Sequence, residues 1–222
     1  MARYGRPELR WSLQKAPSTE PLAADLVKQH RRLDADDTSQ DSIITMLIAM
    51  AREYAEAYTG QALMQQQWRI GMDGFPGVVI PPTPFAAVAA WLPTPQPSPD
   101  IHVGKSPLQT VDSITYTDAN GATQTLDPAT YIVDNTGIVP RISLARGKVW
   151  PATIEQIGSV NITATFGYAS ADAVPAGIKH WMLVRVGTMF ENREEVAVMS
   201  RGRIDPLPFM DSLLDPYKVP RL

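Results

Sequence analysis

Two helical blocks set far apart in the chain constrain its fold more than any single residue does. Residues 41–59 and 175–192 each carry apolar side chains at a helical period, and a long stretch rich in proline and β-forming residues separates them. An amphipathic helix has to bury its stripe against another element. Helices from distant parts of the chain are therefore natural partners, and the middle reads as a β-layer inserted into a helical core. The chain closes on Asp215, Pro216, Tyr217, Lys218, Val219, Pro220, Arg221 and Leu222, where two prolines bar both a continuing helix and a central strand. The expected fold class is α+β: a small α-helical bundle with an inserted antiparallel β-layer and an extended C-terminal tail that runs off the body.

The boundaries follow from these shifts in pattern. Residues 1–19 form a basic arm, with Arg3, Arg6, Arg10 and Lys15 against Glu8, and read first as a solvated, frayed segment. Residues 20–65 are the first helical part. Within it, residues 20–33 predict a short helix with Pro21 in its first turn and Leu22, Leu26 and Leu33 along one side. Asp37 and Gln40 stand at capping-box spacing before a second helix. That helix carries Ile43, Ile44, Leu47, Ile48, Ala51, Tyr54, Ala55 and Tyr58 as its stripe, with Gly60 as its stop. Residues 66–170 are β-rich, with a proline-rich excursion over 82–105. Strands are expected over 67–73, 78–80, 131–133 and 160–166, and a hairpin joins 113–117 to 123–126 through Asp118, Asn120 and Gly121. Residues 171–214 return to helix, first over 175–192 with Ile178, Trp181, Met182, Val186, Met189 and Phe190, then briefly over 208–214. Gly177 and Gly187 in the long helix mark either a weak point or close packing.

At 222 residues, 44% hydrophobic and 19% charged, the chain can bury a core without staples. It has no cysteine, which excludes disulfides, thiolate metal sites and cysteine nucleophiles. A net charge of −3 gives no general attraction to nucleic acid or to an anionic membrane. The longest apolar runs fall far below the ~18 residues of a membrane span, and no signal peptide is recognisable, so an aqueous compartment is expected.

No local motif carries a catalytic or cofactor site, and no cofactor is expected. Gly104, Lys105 and Ser106 end like a phosphate-binding loop, but Pro99 stands where its first glycine belongs, and Pro107 disfavours the helix that must follow. Asp34, Asp36 and Asp37 begin like a calcium loop, yet Ser39 and Thr45 occupy the positions that need glycine and glutamate. His30, His102 and His180 are too scattered for a metal site, and His180 beside Trp181 reads as a helix-packing residue. No nucleophile elbow is present. Glu191, Arg193, Glu194 and Glu195 read as a polar face, solvated or between subunits.

Taken in order, the segments 49–60, 68–76, 106–121, Trp150-Pro151, Val174-Pro175, 190–194 and 216–221 resemble the head-tail connector proteins of long-tailed bacteriophages, the adaptor or head-completion proteins of the phage neck. The resemblance implies a structural protein rather than an enzyme. It would form a ring of twelve copies between the portal protein and a stopper or tail-completion protein. It would sit in the virion neck after assembly in the host cytoplasm, extend the DNA channel without binding the passing genome specifically, touch no membrane and offer the tail its attachment surface. It also implies that Tyr217, Lys218, Val219, Pro220, Arg221 and Leu222 dock onto the portal. Phe85, Trp91, Leu92, Glu191, Arg193 and Glu194 are candidate contacts between subunits. Another neck ring component, a stopper or tail terminator, is the alternative, and a virion enzyme the remoter one. The chain departs from the family pattern at residues 82–105, where the proline-rich stretch is long, and at residues 1–18.

Overall fold

A computed structural model describes residues 8–76, 99–191 and 209–220. The chain divides into two compact units, each assembled from separated pieces. One takes residues 1–15, 67–103 and 108–165; the other takes 16–66, 104–107 and 166–222. The expected α+β class is what the chain adopts, with helices in the second unit and antiparallel sheet pairs in the first.

The helical unit contains α1 (Ala24–Arg31), α2 (Asp41–Thr59), α3 (Ala176–Glu191) and the single turn α4 (Phe209–Ser212). The expected pairing of the two long blocks holds. Ile44, Leu47, Ile48, Ala51 and Ala55 of α2 share one core with Ile178, Trp181, Met182 and Val186 of α3. Leu22, Val27, Leu63, Met64, Val174 and Leu214 complete it, and Met189 and Phe190 pack against it. Gly60 ends α2 at φ 75°, and its amide donates to the Glu56 carbonyl. This is the left-handed position at a helix end that glycine occupies without strain.

Three details of the helical expectation are corrected. The first helix starts at Ala24, so Pro21 lies before it, and Leu26 faces solvent at 43% exposure while Leu22 and Val27 go inside. The residue before α2, Gln40, makes no side-chain cap; Asp37 instead accepts the Ser39 amide in the preceding turn. Tyr54, assigned to the buried stripe, is 42% exposed.

The β unit has two sheets. The larger runs in the order β1 (Arg10–Lys15), β2 (Gln66–Met72), β8 (Val160–Phe166), β4 (Leu108–Thr117) and β5 (Thr123–Thr125). The smaller runs β3 (Ile101–His102), β7 (Arg141–Leu144) and β6 (Tyr131–Asp134). In β8 the alternation is complete, with Val160, Ile162 and Ala164 buried and Asn161, Thr163 and Thr165 turned the other way. The expected hairpin joins β4 to β5. Asp118 accepts the amides of Asn120 and Ala122, and Gly121 alone takes the positive φ, at 83°. The basic arm is corrected over Arg10–Lys15, which pairs antiparallel with β2 and sets Trp11 edge-on to Trp68 at 6.0 Å. The expected strand over 78–80 lies outside the described residues.

Candidate docking surfaces

The C-terminal tail was expected to leave the body, and as far as Pro220 it does not. Residues Asp215–Tyr217 form a single tight turn after the fully buried Leu214, and the chain then lies along the end of α2. The Val219 amide donates to the Thr59 carbonyl at 2.7 Å, and Gln61 Nε2 donates to the Tyr217 carbonyl at 2.8 Å. The last carbonyls of a helix have no partner within it, and the tail supplies one.

Two glycines make room for the tail's side chains. A Cβ on Gly60 would come within 3.3 Å of Val219 Cβ, and one on Gly177 would meet the Tyr217 hydroxyl at 3.0 Å. Val219 is 8% exposed. Two prolines bar a continuing α-helix and a central strand, but they leave the segment free to turn and to be bound by another element, which is why the sequence pattern did not show its docking.

A polar clasp closes over the turn. The Tyr58 hydroxyl donates to Asp215 at 2.9 Å, Lys218 pairs with Asp215 at 2.9 Å, and the Lys218 ammonium sits 3.8 Å from the centre of the Tyr58 ring. Hydrogen bonding from Lys218 and then Tyr58 holds the Asp215 carboxyl below the usual aspartate range. Of the six residues expected to dock onto a portal, Tyr217 and Val219 are thus occupied within their own unit. Lys218 and Pro220 remain exposed, and Arg221 and Leu222 lie outside the described residues.

Glu191, the described member of the expected polar contact face, pairs with Arg31 of α1. The stem of Arg31 reaches it across Gly187, whose missing side chain leaves Arg31 Cδ 3.4 Å from where a Cβ would stand. Lys28, one turn earlier on α1, reaches Asp41 at the start of α2 at 2.7 Å. Two basic residues of α1 therefore pin the start of α2 and the end of α3. The other expected subunit contacts, Phe85, Trp91, Leu92, Arg193 and Glu194, lie outside the described residues.

Near the other end of α2, Glu56 organises the loop that follows. It accepts the Leu63 amide at 2.8 Å, Gln66 Nε2 at 2.7 Å and Arg52 Nη1 at 3.1 Å, while Arg52 also reaches Glu20 at 2.8 Å. Burial pushes the Glu56 carboxyl up, against the lowering effect of the Leu63 amide and the Arg52 charge. Burial likewise pushes the Lys105 ammonium down, and Glu56 partly compensates.

The residues tested for local chemistry take structural roles. No helix follows Gly104, Lys105 and Ser106: Ser106 bridges to Gln61, the Ser106-Pro107 bond is cis, and β4 begins at Leu108. Asp34 accepts the Asp36 amide at 3.1 Å in a turn. His180, expected to pack within the helix, is exposed on α3. Among the described residues no cluster of acids and histidines could hold a metal ion, and no helix is long and apolar enough to cross a membrane.

One surface the sequence reading passed over is the outward face of α2. Met46, Met50 and Tyr54 follow one another at four-residue spacing and are 54%, 49% and 42% exposed. Tyr54 is braced from the side by Trp181, stacked at 5.3 Å, and by the Arg185 guanidinium, 5.4 Å from the centre of its ring. The signal was legible as a second apolar row beside the first, hidden because one helix carried both.

Comparison with known proteins bears on these surfaces. In structure, the chain matches one from the neck of an empty gene transfer agent (GTA) particle computed with C6 symmetry, at TM-score 0.69 and 19% identity, over 96% of this chain and 97% of that one. A chain from the virion of a native GTA particle matches at TM-score 0.70 and 18% identity, over 96% of both chains. A third, from the neck of a native GTA particle computed with C12 symmetry, matches at 0.61 and 17%, over 95% and 97%. At such identities the likeness is one of fold. No curated protein matches the chain. In sequence, the model of the phage gp6-like head-tail connector protein family matches residues 25–123, from α1 through β4 to the start of β5, a little under half of the chain.

Proposed function

We propose that this protein is a structural adaptor in the neck of a phage-like particle, where copies of it form a ring of twelve between the portal and the tail-completion or stopper protein. One observation carries the reading: a connector-family sequence match over residues 25–123 coincides with a fold match to GTA neck and virion chains over nearly the whole chain. The net charge of −3 suits a channel wall that genomic DNA must slide past in packing and ejection, since a basic lining would hold phosphates.

Within that ring the tail becomes a base-anchored peg. Tyr217 and Val219 are held on α2, so portal docking falls to Lys218, Pro220, Arg221 and Leu222. Phe85, Trp91, Leu92, Arg193 and Glu194 keep their proposed place between subunits or against another neck protein.

The test is direct imaging. Purified protein added to portal-bearing heads should add one ring of fixed symmetry beneath the portal, visible by electron microscopy, and should permit tail attachment. Heads that bind no protein, or bind it at scattered stoichiometry, would reject the adaptor reading.

A further inference from the structure

We propose that the outward face of α2, centred on Met46, Met50 and Tyr54, is the surface on which a second copy of this chain packs in the ring; the inference rests on the adaptor reading above. The solvent face of a helix normally carries charge. Among the exposed positions from 42 to 57, Glu53 is the one charged residue. Loss of charge with gain of methionine and aromatic residues is the composition of an interface core. Tyr54 is also fixed in place by Trp181 and Arg185 before any partner arrives, as an anchor residue needs to be.

A second copy fits this face better than DNA or an acidic protein does. The exposed charges beside it, Glu53 and Arg185, are one of each sign, so the face carries no net attraction for phosphates or carboxylates. Contacts around a ring are heterologous, so a single chain must carry two different complementary patches. The β unit supplies a second set of exposed apolar residues, with Ile132, Ile138 and Val149 at 58%, 57% and 78% exposure. Neck assemblies that share this fold were computed with C6 and C12 symmetry, which sets copies side by side around an axis.

The chain has no cysteine, so Met50→Cys introduces a unique thiol. A maleimide-polyethylene glycol reagent should label it readily in the free subunit and at least tenfold more slowly in the ring. Leu26→Cys, on the exposed side of α1, should label equally in both states. Equal labelling of Met50→Cys in both states overturns the proposal. The double variant Met46→Glu, Met50→Glu should melt as the parent does and form no ring. If it melts several degrees lower yet still forms rings, the face is covered by its own chain and the proposal falls. A parent protein that forms no ring, alone or on portal-bearing heads, removes the adaptor reading itself, whereas rings with a reactive Met50→Cys remove only this surface.

Discussion

The two units solve the same problem, burying apolar surface made by distant pieces of chain, with different tolerances. In the helical unit, a few fully buried side chains and glycine contacts hold elements that share no hydrogen-bond ladder. In the β unit, ladders fix the register, and the outward face is knitted by polar pairs. Asp112 accepts from Thr110, Gln67 and Thr165, and Arg69 donates to Asn161. The helical unit should therefore fail at single points. The β unit should absorb surface changes and fail only where a strand is buried.

The strongest test of that contrast is Gly167→Ala. At φ 109° the new Cβ would stand 2.1 Å from the Met64 carbonyl oxygen, so backbone would have to move. The expected loss is on the order of 4 kcal/mol or more, visible as failure to fold or as collapse of the urea midpoint. Gly147→Ala in the β unit makes the paired comparison: its φ is also positive, at 74°, but nothing lies within 4 Å of the new Cβ. It should cost only the ~1 kcal/mol of a left-handed alanine. Equal losses at the two sites would show that conformation, not close approach, governs both.

Next in size are the buried side chains. Trp181→Ala removes a side chain that is 1% exposed, together with its hydrogen bond to Asp211, and should cost about 3 to 5 kcal/mol. Leu47→Ala, on the facing helix, should cost about 2 to 5 kcal/mol. On the β unit, Ile162→Ala should also cost about 2 to 5 kcal/mol, while Arg69→Ala on the outer face should stay within about 0.5 kcal/mol. Chemical denaturation of the four variants decides the matter. A large loss at Arg69 would mean that the polar face is part of the core's support and would break the contrast.

The parts of this architecture that could be read from sequence were those with a repeating signal. The periods of α2 and α3 and the alternation of β8 each repeat over several turns or residue pairs, and an average over that many positions survives individual exceptions. What escaped had a partner rather than a pattern. Arg10–Lys15 alternates too weakly to declare itself, and becomes a strand because β2 offers a free edge. β3 is two residues long and exists because β7 lies beside it. Tyr54 fits the buried stripe by spacing, yet a stripe cannot say which of its margins a second helix will cover. The docking surfaces were legible only in part for the same reason. The prolines of the tail rightly excluded a continuing helix and a central strand, but the expected extended course gives way to a turn over Asp215–Tyr217, and its seat on Thr59, Gly60 and Gln61 depends on residues some 160 positions earlier.

Removing the tail after Asp215 separates a seated strap from a free peg. It deletes the buried Val219 and the hydrogen bonds of Val219 and Tyr217 to the end of α2. The helical unit should lose about 2 to 4 kcal/mol, with the β unit unaffected. An unchanged melt would mean that the seat contributes nothing to the fold.

The smallest expected effect is a pH dependence confined to the clasp. Lys218 and Tyr58 hold the Asp215 carboxyl below its ordinary range, so the folded pKa lies under the unfolded one. A group shifted in this direction contributes stability that is fully present above its unfolded pKa and is lost as pH falls through the folded value. Both partners are about half exposed, which screens the interaction, so the change should be local rather than global. On acidification below the normal carboxylate range, the Val219 amide should lose protection in hydrogen exchange while amides in the middle of α2 keep theirs. Asp215→Asn should give the weakened protection at neutral pH and remove the acid step. If Val219 stays protected throughout, the seat is held by Thr59, Gln61 and the two glycines alone, and the clasp on Asp215 has no part in it.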